Sequence, residues 1–135
     1  MIDLADYTRP IRDLLRKGEY AAVYVATAET GVPAAEMSRI GYALDLPATI
    51  KRMQATFPTT INLEAALWVP DRGIATNISR AVGCDMMPMR RDGGWFAAPG
   101  ATMQRAVELA AFRIHPDATM VWHDELMVRL RRAAA

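Results

Sequence analysis

The sequence predicts an α+β domain in which a small, mainly antiparallel sheet of three strands is flanked by helices. Strand-length apolar segments rich in Val, Ile and Tyr alternate with segments whose apolar residues recur at helical spacing. Glycine- and proline-rich stretches separate these segments and mark the turns. The 135 residues, 52% of them hydrophobic, suffice to build one core, so we expect a single domain over residues 1–135.

The N-terminal residues 1–19 are predicted to form a short helix that covers the sheet, with Thr8 as its N-cap and Gly18 at its end. The first strand is expected over residues 21–27, which are dense in Val and Tyr, and the second over residues 35–42. The breaker-rich residues 29–33 lie between them, so a hairpin is the simplest connection.

A helix is expected to begin either at Asp45 or at the Leu46-Pro47 pair and to close at Pro58, which places Lys51 and Arg52 near its middle. The third strand is predicted over residues 61–69, from an alternation with one well-buried face. That face would carry Ile61, Leu63, Ala65 and Leu67.

The second half of the chain continues with a helix that should end at Gly83, because glycine is a frequent helix stop. Residues 84–94 are predicted to form a loop with a basic tip at Arg90 and Arg91. Its methionines form either a contact surface or a lid over the core, and we favour the contact surface. Two more helices follow, one capped by Thr102 and one from about Ala118, the latter within residues 114–135.

Composition excludes several classes of protein. The net charge of +1 shows no bulk polycation, so any nucleic-acid surface must come from local clustering. The single cysteine, Cys84, excludes an intramolecular disulfide and a cysteine-based metal cluster. The apolar stretches are interrupted short of a membrane span, and the N-terminus lacks the layout of a secretory signal. We therefore expect a cytoplasmic protein without a membrane partner.

Three short motifs occur in a characteristic order. They are Ala22-Val23-Tyr24 in the first strand, Arg39-Ile40-Gly41 in the second with Arg52 on the helix after it, and Gly94-Trp95-Phe96 before another helix. In that order they resemble the GIY-YIG nuclease superfamily, and most of all its divergent branch of small phage and bacterial domains with a Lys-Ile-Gly second motif. The resemblance covers residues 20–113, which would form a GIY-YIG-like core.

The resemblance implies which residues formed an ancestral catalytic site. In such nucleases, two tyrosines, an arginine and a glutamate surround one divalent metal ion and the scissile phosphate. Tyr24 is similar to the first tyrosine, and Arg39 stands where the second would be, with Tyr42 as a substitute if its loop turns inward. Arg52 is similar to the helix arginine, with Lys51 as the alternative.

The acidic residues that this resemblance requires are missing. Ala75 and Gly94 stand where that branch carries glutamates, and Ser79 where it carries a histidine. A hard cation such as Mg²⁺ needs at least one carboxylate, so we expect no metal site and no cofactor. The nearby acids that might compensate are Glu64, Asp71 and Asp92.

Two functions from different classes follow. The first is a degenerate, non-catalytic adaptor that binds nucleic acid or an acidic protein surface and is able to self-associate. Its binding residues would be Arg39, Lys51, Arg52, Arg90 and Arg91. The alternative is an active endonuclease that uses Mg²⁺, with Tyr24 or Tyr42 orienting water and Arg52 stabilising charge. Trp68, Trp95 and Trp122 are expected to be packing anchors under either function.

Overall fold

A computed structural model describes residues 2–28 and 36–135. Within these ranges the helices and strands are, in chain order, α1 (Arg9–Lys17), β1 (Ala21–Ala28), β2 (Met37–Ala43), α2 (Leu46–Ala55), β3 (Ile61–Val69), α3 (Arg72–Asp85), β4 (Trp95–Phe96), α4 (Gly100–Ile114), β5 (Val121–Trp122) and α5 (His123–Ala134). None of the helices in the described ranges combines the length and the hydropathy required to cross a membrane.

The strands form one antiparallel sheet in the order β4-β2-β1-β3-β5, so β1 lies at its centre. The predicted α+β class is confirmed, but the prediction of a three-stranded sheet is wrong. Trp95–Phe96 and Val121–Trp122 pair with β2 and β3 as additional edge strands. Two residues are too few to show a strand periodicity, which is why the sequence pattern did not reveal them. The predicted hairpin connection, residues 29–33, and Ala35 lie outside the described residues.

Helices cover both faces of the sheet and enclose two cores. The first core lies between the sheet and α1, α2 and α5, and the second lies between the sheet and α3 and α4. Because side chains alternate along a strand, β1 contributes to both. Ala22, Tyr24 and Ala26 face the first core, whereas Val23 and Val25 face the second.

A β-bulge in β3 changes which of its residues share a face. Val25 pairs with Ala65 and the next residue, Ala26, pairs with Leu63, so Glu64 has no partner on β1. The predicted single buried face is therefore wrong, because the extra residue reverses the alternation. The first core receives Ile61, Leu63, Ala66 and Trp68, and the second receives Ala65, Leu67 and Val69.

Three helix ends differ from the predictions. α3 continues past Gly83 to Asp85, because a glycine inside a helix costs only about 1 kcal/mol and Val82 packs in the second core. α4 begins at Gly100, two residues before Thr102. α5 begins at His123 rather than near residue 118, because the two residues before it pair with β3.

Gly83→Ala is expected to stabilise the protein by about 0.5–1 kcal/mol, because alanine is the better helix former. A Cβ at residue 83 would meet no atom within 4 Å, so no clash opposes the gain. Chemical denaturation followed by circular dichroism measures the difference. A loss of stability would contradict the assignment of Gly83 to the interior of α3.

His123 joins α5 to β3. The Nε1–H of Trp68 donates a hydrogen bond of 3.1 Å to Nδ1 of His123, and both residues are buried. The indole can only donate, so Nδ1 must be the unprotonated acceptor. Burial lowers the pKa of His123, which the charges of Asp124 and Asp6 oppose and that of Arg131 reinforces. The folded protein therefore favours the neutral imidazole.

The free energy of unfolding is expected to fall as the pH drops below about 6.5, because the unfolded chain then binds more protons at His123 than the folded chain does. The loss should accumulate between pH 7.5 and pH 5.5. Urea denaturation at both pH values measures it, with His123→Phe as the reference. That variant is less stable at both values, since Trp68 loses its acceptor, but its pH dependence should be flatter. Equal pH dependence in the two proteins would contradict the prediction.

Candidate functional site

The candidate site begins with a tyrosine ring that lies on a glycine. Tyr24 and Gly41 are directly opposite each other on β1 and β2. A Cβ built on Gly41 would lie 2.4 Å from the hydroxyl oxygen of Tyr24 and 2.7 Å from its Cζ. Such distances are not tolerated between real atoms, so the close packing of this ring requires glycine at residue 41.

Two arginines lie near the hydroxyl group of Tyr24. Burial raises the pKa of Tyr24, and the charges of Arg39 and, more weakly, Arg52 act in the opposite direction. Arg39 is on β2, opposite Ala26, and so shares the first-core face with the tyrosine. Arg52, on α2, is near enough for its charge to act on Tyr24. We call Tyr24, Arg39 and Arg52 the Tyr24 cluster.

Backbone and hydroxyl groups hold the two guanidinium groups. Nη1 of Arg39 donates to the carbonyl oxygen of Gly93 at 3.3 Å, and Nη2 of Arg52 donates to Oγ1 of Thr49 at 3.3 Å. In the part of the chain that the structure describes, no carboxylate lies within 4 Å of either group. Neither guanidinium group is thus neutralised by a carboxylate of the described residues.

An aromatic pair forms the wall beside Arg39. Trp95 of β4 is directly opposite Arg39 in the sheet, and its ring stacks on Phe57 with centroids 4.7 Å apart and planes 26° apart. Trp95 is 7% exposed, so it is a packing anchor, as predicted. The stacked pair ties the edge of the sheet to the segment that follows α2, and so keeps the strand and the helix of the cluster together.

Tyr42 lies on the opposite face of the sheet. It pairs with Val23, whose side chain is in the second core, whereas Tyr24 and Arg39 face the first core. Tyr42 therefore does not join the Tyr24 cluster, and the interpretation of Tyr42 as a substitute tyrosine is wrong. The reason is the two-residue period of a strand, which sends neighbouring side chains to opposite faces.

Lys51 is exposed and borders a different surface. It lines a shallow groove with Leu4 and Pro47. Because residues 51 and 52 are adjacent on a helix, their side chains point about 100° apart. Arg52, which acts on Tyr24, is thus the residue of the two that belongs to the cluster.

Arg90 and Arg91 lie in the segment between α3 and β4, which consists largely of two short 3₁₀ turns, Met87–Met89 and Asp92–Gly94. Both arginines are exposed, and Nη1 of Arg91 donates to the carbonyl oxygens of Arg90 and Pro88. The same segment supplies the carbonyl of Gly93 that accepts from Arg39. The basic pair and the Tyr24 cluster are therefore connected through one short segment.

Gly94 and Ala75, which stand where the nucleases carry glutamates, do not lie together in the structure. Gly94 lies beside Arg39, because its ideal Cβ would be 4.0 Å from the guanidinium carbon. Ala75 is instead fully buried in the second core, on the other side of the sheet from Tyr24. The proposed correspondence of Ala75 to an acidic site residue is therefore not supported by its location.

Of the three acids that might compensate, Asp92 lies next to the cluster, in the Asp92–Gly94 turn whose Gly93 carbonyl accepts from Arg39, and the other two have other places in the fold. Asp71 caps α3, since its Oδ1 accepts from the amide of Ile74 at 2.9 Å, and Glu64 lies at the bulge of β3. Over residues 2–28 and 36–135, no three His, Cys, Asp or Glu residues are grouped in a way that could hold a metal ion.

The chain matches no protein-family model, and comparisons with curated proteins and with solved structures also give no match. The resemblance to the GIY-YIG nucleases therefore stays a prediction.

The geometry of the cluster suits an anion that bears several oxygen atoms. Guanidinium groups donate in a planar fork that matches the oxygens of phosphate, and a phenol hydroxyl can donate a further hydrogen bond. Sequence reasoning found the three residues of the cluster but missed Phe57 and the Gly93 carbonyl. No local pattern marks these two, because only the pairing of β2 with β4 brings them into place.

Gly41→Ala is expected to destabilise the protein by about 1–3 kcal/mol, because the new methyl group must displace the ring of Tyr24 or the strand beneath it. Chemical denaturation measures the loss, and Gly83→Ala is the matched control in which the same added methyl group meets no atom. Tyrosine ring resonances in NMR spectra should shift for Gly41→Ala alone. Equal stability of the two variants would contradict the packing of Tyr24 on Gly41.

Proposed function

We propose that this protein is a non-catalytic domain that binds the phosphate backbone of nucleic acid through the Tyr24 cluster. The observation that carries the proposal is the convergence of Arg39 and Arg52, from a strand and a helix, beside a buried tyrosine. Charge-assisted hydrogen bonds from guanidinium to phosphate are strong and directional. Two such groups held by their own contacts lose little side-chain entropy when they bind.

A polymer fits the arrangement better than a single phosphate. Arg90 and Arg91 extend the basic surface from the cluster through the segment that holds Gly93. Successive phosphates of one strand could contact the two arginine pairs in turn. Contacts of this kind set the position of the backbone and carry no base specificity, so the domain would act as an adaptor that accepts many sequences.

The proposed relation to GIY-YIG nucleases would make the cluster a remnant of a catalytic site. Cleavage by such a site needs a metal ion, and the ion needs a carboxylate ligand that Gly94, the residue beside Arg39, cannot supply. An active endonuclease with a rearranged metal site is the alternative to be tested. An acidic protein surface is a second possible partner for the same arginines.

The double variant Arg39→Ala/Arg52→Ala is expected to lower the affinity for a labelled oligonucleotide at least about tenfold, because two charge-assisted contacts are lost. Fluorescence anisotropy at several salt concentrations between 50 and 200 mM measures binding to single-stranded DNA, duplex DNA and RNA. The slope of log K against log salt should become less steep by about one for the duplex, because the one phosphate that the two arginines share is no longer contacted.

Arg80→Ala is the matched control, because Arg80 is exposed on α3, on the other side of the sheet. Equal losses in the control and the double variant would contradict the proposal. A loss confined to Arg90→Glu/Arg91→Glu would move the interface to the segment between α3 and β4. Metal-dependent cleavage that disappears in Arg52→Ala would establish the endonuclease, and an unchanged salt slope would favour an acidic protein partner.

A further inference from the structure

A second concave surface lies at the end of the sheet where β1 begins and where β2 and β3 end. Its volume is about 460 Å³, which is in the range of small-molecule sites. It is lined by Arg16, Glu19, Tyr20, Leu44, Asp71 and Arg72. We call it the end pocket. None of its residues belongs to the Tyr24 cluster, so its occupant is a separate question.

The end pocket contains two positive and two negative side chains that are not paired with each other. Across the described residues, ion pairs within 4 Å include Arg113 with Asp85, but none involves Arg16, Glu19 or Arg72. Exposed opposite charges that can reach each other often pair, as Arg129 and Glu125 do. Charges of both signs are thus presented to whatever enters the pocket.

The apolar part of the end pocket is held in place from behind. Gly18 makes room for the ring of Tyr20, because a Cβ at residue 18 would lie 2.6 Å from Cε2 of that ring. Leu44 is 52% exposed, and its carbonyl oxygen accepts a hydrogen bond of 3.3 Å from the hydroxyl of Tyr7. The ring of Tyr20 and the side chain of Leu44 therefore form an apolar surface beside the charged side chains.

Glu19 occupies a backbone position that favours glycine. Its φ of 57° is in the left-handed region. Its amide donates to the carbonyl of Arg16, and the amide of Tyr20 donates to that of Leu15, which is the Schellman ending of a helix. Glycine is the usual residue at this point, yet here it lies one position earlier. The chain thus carries a carboxylate at a position where glycine would make the folded protein more stable.

We propose that the end pocket binds a small zwitterion of the α-amino-acid type with an apolar side chain. Arg16 and Arg72 would receive its carboxylate, Glu19 its ammonium group, and Tyr20 and Leu44 its side chain. A simple anion would be repelled by the two carboxylates, and a simple cation by the two guanidinium groups. A molecule that carries both charges a few bonds apart can pair with Glu19 and with the two arginines at once, while Asp71 caps α3.

Glu19→Gly tests the proposal without loss of the fold, because this substitution should raise stability. The thermal midpoint is expected to rise by about 2–4 °C. The ligand probe is L-phenylalanine, titrated into ¹⁵N-labelled protein and followed by NMR. In the natural protein the amides around Glu19 and Leu44 should shift. In Glu19→Gly the affinity should fall about tenfold or more, and in Arg72→Ala it should also fall.

Two analogues of L-phenylalanine test the contribution of its ammonium group and of its carboxylate separately. 3-Phenylpropionate lacks the ammonium group and phenethylamine lacks the carboxylate, so each should bind the natural protein more weakly than L-phenylalanine does. Tighter binding of either analogue, or unchanged binding of L-phenylalanine by Glu19→Gly, would overturn the proposal. Oligonucleotide binding should be the same in Glu19→Gly and in the natural protein, so failure here is distinguishable from failure of the proposed phosphate-binding function.

Discussion

The burial of β1 on both faces is the constraint on which the rest of the structure depends. All eight of its residues are buried, and its neighbours β2 and β3 pair along nearly its whole length. A strand in this position must carry small or apolar side chains, and one helical layer must cover each face. The two cores, and the separation of α1, α2 and α5 from α3 and α4, follow from that arrangement.

Tyr24 is the exception within β1, and the site is built around that exception. A tyrosine in a fully buried strand must find room for its ring and a polar environment for its hydroxyl. Gly41 provides the room, and Arg39 and Arg52 provide the positive environment. Because the ring of Tyr24 lies on one face of the sheet, the residues that surround its hydroxyl group come from that face only. Tyr42 follows Gly41 directly in the sequence but lies on the other face, and Ala75 is buried on that other face as well.

The sequence predicted the elements whose side-chain pattern extends over many residues. It missed features that are short or that depend on contacts between distant segments. Ile61–Val69 was predicted with its observed bounds, because nine residues of strand pattern are hard to mistake. Its bulge was not predicted, since it depends on the register against β1. The three residues of the Tyr24 cluster were chosen by resemblance. Their convergence could not be predicted, because it requires the position of α2 over the sheet.

The most direct test of the account is an NMR titration of the arginine side chains with a single-stranded DNA oligonucleotide. The central claim is that Arg39 and Arg52 bind one phosphate together beside Tyr24. The Nε–H resonances of both arginines should then shift along a single binding curve, while that of Arg80 stays in place. A shift of one without the other, or shifts confined to Arg90 and Arg91, would contradict the claim that the Tyr24 cluster is the binding site.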